Sequence, residues 1–183
     1  MKRCKWCNLS NQLYVKYHDE EWGRPVFDEK VLFEFLVLES FQAGLSWQTI
    51  LNKRKDFRVA FDNFDAQKIS LYDQNKIYQL MNNELIIRNR RKINATIINA
   101  KIFLNIQKEW GSFSNYIWHF TDGKIIYEND KTYSPLSDLI SADLKSRGMC
   151  FVGTTIIYSY LQAMGIIHSH DTECFLYEKK PCQ

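Results

Sequence analysis

The stretch V-L-F-E-F-L-V-L-E-S-F-Q-A-G-L-S-W, Val31 to Trp47, decides the fold. Its first eight residues carry no polar face wide enough for a surface helix, so the pattern predicts a helix buried all round. Asp28 is placed to cap its start, and its end is expected near Phe41. That end carries a carboxylate, Glu39, into the interior, where an uncompensated charge is costly unless it finds donors or is neutralised. Gln42, an Ala43-Gly44 turn, Leu45 and Trp47 follow at once. An acid, an amide, a tight turn and an indole in one short segment fit a flat, hydrogen-bonding pocket better than a packed core, although a solvated helix end followed by a plain loop has the same letters.

Outward from that helix the pattern stays helical. Ser46 is placed to cap a helix from Trp47 to about Phe61, Asp65 a short one through Leu71, and Asp73 another through about Met81. Ile93, Ile97, Ile98, Ile102 and Ile106 mark one face of a long helix reaching about Glu109, and Ser112 opens an aromatic helix from Phe113 to Phe120. Between Thr121 and Tyr133 the period is lost and Asp122-Gly123 signals a turn, so a loop or small hairpin is expected. Ahead of the buried helix, Met1 to about Pro25 is aromatic and polar without a period. Ordered loop with one short helical piece is expected there, held by something other than its own burial. The reading is helical throughout; no repeat or linker divides the 183 residues, so composition marks no domain boundary, and the length suits one core or two small lobes sharing one.

Ser137 to Gly165 is the second informative region. Ser137 is placed to cap a helix ending at Arg147; Gly148-Met149-Cys150-Phe151-Val152-Gly153 is a turn bounded by two glycines; Thr154 and Thr155 begin a helix that Gly165 stops. Helix, short glycine-bounded hairpin, helix is the layout of a helix-hairpin-helix element. The glycines let the backbone approach a phosphate, and the free N–H groups at the next helix start point at it, often through a bound cation. Lys145 and Arg147 add positive charge just upstream, although many antiparallel helices are joined by a similar turn.

Composition excludes several classes. Met1-Lys2-Arg3 leads into Cys4 and Trp6 rather than an apolar leader, and no apolar stretch has membrane-spanning length, so a cytoplasmic protein with no membrane partner is expected. A net charge of +3 is too small to coat an acidic polymer, but the positive charge is clustered: Arg88, Arg90, Arg91 and Lys92; Lys53 to Lys55; Lys145 with Arg147. Such knots fit docking on a polyanion over a limited footprint, and equally fit solvated helix faces.

The five cysteines are an odd count that suits thiols or metal ligands better than bridges. His170 and Cys174 are four apart, as two ligands on one side of a helical turn require, and Cys4 with His18 would complete a Cys2His2 shell. Cys7 and His168 compete for the same places. A full protein shell leaves no open position for water, so the expected ion is structural, and it would tie the two chain ends together.

The motifs C-x-W at Cys4–Trp6, Y-H-D-E-E-W-G at Tyr17–Gly23, L-E-S-F-Q-A-G-L-S-W at Leu38–Trp47 and R-G-M-C-F-V-G-T-T at Arg147–Thr155 together resemble the bacterial 3-methyladenine DNA glycosylase I family. The likeness spans essentially the whole chain, in order and in spacing. It implies an all-α helix-hairpin-helix DNA glycosylase fold in a single compact unit over 1–183, with the hairpin element near 137–165 and zinc-tethered terminal segments near 1–25 and 166–183. It puts zinc ligation on Cys4, His18, His170 and Cys174, base recognition on Glu39, and pocket aromatics on Tyr17 and Trp47, with Trp6, Tyr14 and Trp22 nearby. Gly44 and Leu45 match the turn that wedges into the duplex where a base has left. The activity implied is monofunctional release of 3-methyladenine from alkylated double-stranded DNA by a monomer. Asp171, standing between two proposed ligands, is given no catalytic role.

Two rivals remain at this stage. A zinc-stapled module that only binds DNA would use the hairpin and basic knots but not a buried Glu39 beside Trp47. A zinc hydrolase or deaminase is disfavoured because neither H-E-x-x-H nor H-x-E with P-C-x-x-C occurs.

Overall fold

A computed structural model describes residues 1–178 of the chain. Helix α2 (Glu29–Gln42) runs through its middle, with every side chain from Leu32 to Phe41 buried. Each fully buried Leu or Phe contributes roughly 1.5–3 kcal/mol, so this one element organises its neighbours. It packs against α3 (Trp47–Ala60), α6 (Arg90–Trp110), α7 (Phe113–His119) and α9 (Thr154–Ala163). Around these stand α1 (Gln12–Glu20), α4 (Ala66–Ser70), α5 (Gln74–Asn82) and α8 (Pro135–Ser146).

The expected caps are in place. Asp28, Ser46, Asp65, Asp73 and Ser112 each accept a backbone N–H from the first turn of the helix they precede. Glu29 adds a cap across the fold: its carboxylate accepts the Phe113 and Ser114 N–H groups at 2.8 Å, fixing the start of α7 against the start of α2.

Three expectations change. Helix α8 starts one turn earlier than Ser137 suggests: Ser134 is its N-cap, Pro135 its first residue, and Ser137 closes a reciprocal capping box with Ser134. On α6 the inward face runs through Ile93, Ile97, Ala100, Phe103 and Ile106, while Ile98 is 43% exposed. The Thr121–Tyr133 excursion is no hairpin: Ile126–Tyr127 (β1) pairs in parallel with Ile167–His168 (β2), a partner that follows α9. A parallel partner forty residues away leaves no local turn signal to read.

Gly165 makes that pairing possible. It ends α9 at φ +68°, and a β-carbon there would collide with the backbone of Arg24 and Pro25. The same close approach lets Val26 N–H donate to the Met164 carbonyl at 3.1 Å, docking the entry of α2 on the exit of α9. Gly165→Ala is therefore expected to destabilise the protein by about 2–4 kcal/mol, from overpacking plus the left-handed backbone, measured as a lowered denaturant midpoint with an unchanged slope.

Candidate functional site

Helix α2 buries two carboxylates, and their surroundings differ completely. Glu34 accepts hydrogen bonds from Arg54 at 2.6 Å and from Arg58 at 2.9 and 3.1 Å, and Arg54 also reaches Glu21 at 2.6 Å. Glu39, 4% exposed, has no hydrogen-bond or ion-pair partner among the described residues. Burial alone pushes its carboxyl up to about 8. One acid on this helix is spent on structure and the other is left facing a cavity.

That cavity has a volume of about 400 Å³ and is walled by rings from four separate segments. Tyr14 and Tyr17 come from α1, Trp47 from the first position of α3, Trp6 from the amino-terminal loop, and Trp22 from the turn after α1; Gln42 lies beside Glu39. Tyr17 and Trp47 approach at 5.3 Å between ring centroids, and Phe35 of α2 backs both rings at 6.0 and 6.2 Å in stacked geometry. The Arg54 guanidinium lies over Phe35 at 4.7 Å, so the ion-paired cluster stiffens the back of the pocket. The indole N–H of Trp47 is buried without an acceptor, a second polar group left for a ligand.

Further lining residues are ones to which the sequence assigns no role, Asp130 and Lys131 among them. Ser159 and Gln162, one turn apart on α9, and Ser169 and Asp171 beyond β2 close the far side of the cavity. The polar pair in an otherwise apolar helix was the available signal for Ser159 and Gln162. Asp171 accepts the Lys5 backbone N–H at 2.7 Å and shares the cavity with Glu39, although the sequence reading gave it no role.

The turn that follows is built for projection. Ala43 (φ −46°, ψ 113°) and Gly44 (φ +79°) form a type II turn closed by Leu45 N–H to the Gln42 carbonyl at 2.6 Å, and Leu45 is 40% exposed at its tip. Beneath it a smaller cleft of about 190 Å³ runs from Glu39 and Gly44 to Thr155 at the start of α9. The hairpin and the turn therefore flank one opening.

In the hairpin, Gly148 is required by its φ of +96°. Gly153 is not: its φ is ordinary, and a β-carbon there would meet nothing of this protein. It keeps the space outside the hairpin clear, and the α9 N-terminus has no side-chain cap. Thr154 hydrogen-bonds Ser137 at 2.8 Å, and Thr155 is exposed.

The basic knots are largely consumed by the fold. Arg147 binds Asp143 at 2.7 Å and Glu109 at 2.5 Å, Arg54 is buried as described, and Lys92 is 6% exposed. Lys145, Arg90 and Arg91 remain on the surface.

Cys4, His18, His170 and Cys174 converge in the interior, their ligand atoms all within 4.8 Å of one another. The measured edges, Cys4 Sγ to His170 Nδ1 3.3 Å, Cys174 Sγ to His18 Nε2 3.4 Å and Cys174 Sγ to His170 Nδ1 3.6 Å, match the ~3.5 Å sulfur–nitrogen edge of a tetrahedral ion. Asp19 takes the other His18 nitrogen, Nδ1, at 2.8 Å, and the Asp171 N–H donates to Cys4 Sγ at 3.3 Å. Burial disfavours charge on both groups, pushing the Cys4 thiol up and His170 down to about 4, and a neutral imidazole is the form that ligates a metal. The donor set can hold a metal ion. Cys7 lies apart from the cluster with its thiol on the Tyr14 carbonyl at 3.9 Å, and His168 accepts the Glu178 N–H at 3.1 Å. Residues 179–183, the end of the expected terminal segment, lie outside the described residues.

The cavity wall rests on this cluster. Trp6 packs on His18 at 5.2 Å and on Trp22 at 4.7 Å, and Trp22 meets His170 edge-on at 4.7 Å.

Known proteins resemble the chain in sequence and backbone. Residues 6–177 match the methyladenine glycosylase family. The chain is 40% identical over 183 residues to DNA-3-methyladenine glycosylase 1 of Escherichia coli strain K12, covering 97% of each protein. A crystal structure of a 3-methyladenine DNA glycosylase I superposes with a TM-score of 0.92 at 41% identity, covering 97% of this chain and 100% of that one. A tyrosine-to-phenylalanine variant of 3-methyladenine DNA glycosylase I in complex with 3-methyladenine superposes with a TM-score of 0.92 at 33% identity, covering 98% and 99%. Alike in sequence and in backbone over nearly its whole length, the chain belongs to the methyladenine glycosylase family.

Proposed function

We propose that this protein is a DNA-3-methyladenine glycosylase: it takes 3-methyladenine out of alkylated double-stranded DNA and hydrolyses its N-glycosidic bond, releasing the free base and leaving an abasic site. The observation that carries this reading is Glu39, a buried carboxyl without a partner in a cavity of stacked rings. Family membership at this identity supports it.

The chemistry asks little of the protein. Adenine methylated at N3 is cationic, so when the bond to the sugar breaks the electron pair moves onto the base and neutralises it. Water supplies the oxygen at the sugar carbon and loses a proton to solvent. No strong general acid is needed. What the chain must supply is extraction from the stack, a flat slot and a negative acceptor. Trp47 and Tyr17 flank the cationic ring. Glu39 accepts from the exocyclic amino group, a donor that guanine replaces with a carbonyl at the same edge. A cation in the slot also favours the ionised form of Glu39 against the burial that raises it.

Leu45 and Gly44 enter the space the base vacates, while Gly148, Gly153, Thr154 and Thr155 hold a phosphate, with Lys145 nearby. Arg147, paired to Asp143 and Glu109, ties the end of α8 to α6 just ahead of the hairpin and so serves the same strand indirectly. Among the described residues the lysine lining the cavity, Lys131, is half exposed and ion-paired to Glu128 at 3.1 Å, unlike the desolvated amine of a Schiff-base lysine, which suits a monofunctional hydrolase. One chain completes the site, as a monomer requires, and reduced thiols at the metal cluster suit the cytoplasm.

The ion at Cys4, His18, His170 and Cys174 is a structural zinc, one per chain. Bound there it would fix the two chain ends and leave the chemistry to the cavity.

Glu39→Gln is expected to lower release of 3-methyladenine from dimethyl-sulfate-treated DNA by about 100-fold or more, measured by chromatography of the liberated bases. Unchanged release removes Glu39 from the mechanism. The same substitution acts oppositely on stability. A carboxyl raised from 4.5 to about 8 by folding leaves the native state holding the extra proton, so wild-type stability falls as pH climbs from about 4.5 and levels off above about 8. The stability difference should therefore move in favour of Glu39→Gln by roughly 3–5 kcal/mol across that window, followed as unfolding midpoint against pH. Metal analysis is expected to find one zinc per chain. Exchange for cadmium should preserve base release, whereas Cys174→Ala should lose the ion and lower the unfolding midpoint.

A further inference from the structure

Lys92 was counted from the sequence among surface charges, yet its side chain is buried and no carboxylate among the described residues lies within ion-pair distance of it. Its ammonium donates instead to two carbonyls, Phe41 at 2.8 Å and Ala43 at 2.6 Å. These belong to the last turn of α2 and to the projecting turn itself. Helix α2 has no basic residue of its own in that last turn, so Lys92 is the cation at its negative end.

The same ammonium lies 5.9 Å from the ring of Phe151 at the tip of the hairpin. Phe151 sits at φ +56°, a conformation a bulky residue adopts only when its surroundings hold it, and its carbonyl accepts from Ser40 of α2 at 3.1 Å. Seven residues along α6 from Lys92, on the same face, Asn99 brackets Cys150: it donates to the Cys150 carbonyl and accepts the Cys150 N–H, both at 2.9 Å. One helix thus grips the projecting turn with Lys92 and the hairpin with Asn99, about 10 Å apart along its axis. Between them Ile93 and Ile97 anchor that helix in the core.

We propose that Lys92 is a positioning residue that sets the Ala43–Gly44–Leu45 turn at a fixed distance from the Gly148–Gly153 hairpin, so that the phosphate grip and the wedge act on a duplex together. This rests on the glycosylase reading and adds to it. The distance matters only where a stack must be held open: a base in duplex DNA needs the wedge in register with the held phosphate, whereas a base in a single strand needs only the cavity.

Lys92→Met keeps the packed stem and removes the donors. Single-turnover release of 3-methyladenine from a methylated duplex is expected to fall about tenfold, while release from the same strand unpaired changes less than about twofold. Lys92→Arg, which keeps charge and donors, should recover part of the duplex rate. If Lys92→Met does not fold, Ser40→Ala, which removes the link from α2 to the Phe151 carbonyl along with the hydroxyl's bond to the Leu36 carbonyl within α2, should lower the duplex rate selectively by a smaller factor. Equal losses on both substrates, or no loss on either, overturn the positioning role while a working wild type leaves the glycosylase reading standing. A wild type that releases base from neither substrate overturns both.

Discussion

The closure of the chain ends on one another is the constraint from which the rest of the site follows. Cys4 and His18 come from the first segment, His170 and Cys174 from the last, and their donor atoms meet within 4.8 Å. Without that meeting the first segment has little to hold it: α1 is nine residues long and buries only Tyr17 and His18. Joining ends so remote costs loop entropy that a few buried rings do not offset, whereas a metal ion held by two thiolates and two imidazoles would. The two imidazoles then serve twice, since their outer faces are the surface on which Trp6 and Trp22 pack. The aromatic wall of the cavity is in this sense an extension of the metal shell.

The other wall belongs to α2, and its logic is one of unequal treatment. Two acids five residues apart are buried to the same depth, and three guanidinium hydrogen bonds satisfy the first while none reaches the second. Interior carboxylates are tolerated when paired, and an unpaired one is a cost carried by the folded state. In the proposed reading, that cost is what a cationic, amino-bearing base would relieve on entering. Stability and recognition are thus opposed at Glu39, and the ion-paired cluster at Arg54 lies directly behind the rings that would receive the base.

Charge near the opening is sparser than the chain's basic clusters suggest. Arg54 and Arg147 are paired to carboxylates and Lys92 to two backbone carbonyls, so all three are engaged within the fold. In the proposed reading, grip on a phosphate falls to the N–H groups at the uncapped start of α9 and to the clearance at Gly153. Contacts of that kind read the shape of a backbone and not its sequence, as suits a protein that must find a damaged base in any context.

By itself the sequence determined the elements and their punctuation. Caps at Asp28, Ser46, Asp65, Asp73 and Ser112, the all-round apolar α2, the Gly44 turn and the glycine-bounded hairpin were legible because each rests on interactions within about four residues. The motifs also named the residues that the structure gathers around one cavity, and the ligand set once the family resemblance had decided against Cys7 and His168. Tertiary structure alone decided the rest: that β1 pairs in parallel with β2, that Lys92 turns inward to carbonyls of another helix, that Ser159, Gln162 and Asp171 close the cavity, and that Glu34 is paired and Glu39 is not. Each of these depends on what a distant segment places alongside, and a side chain's burial, partner and charge state are properties of that neighbourhood, which no local pattern encodes.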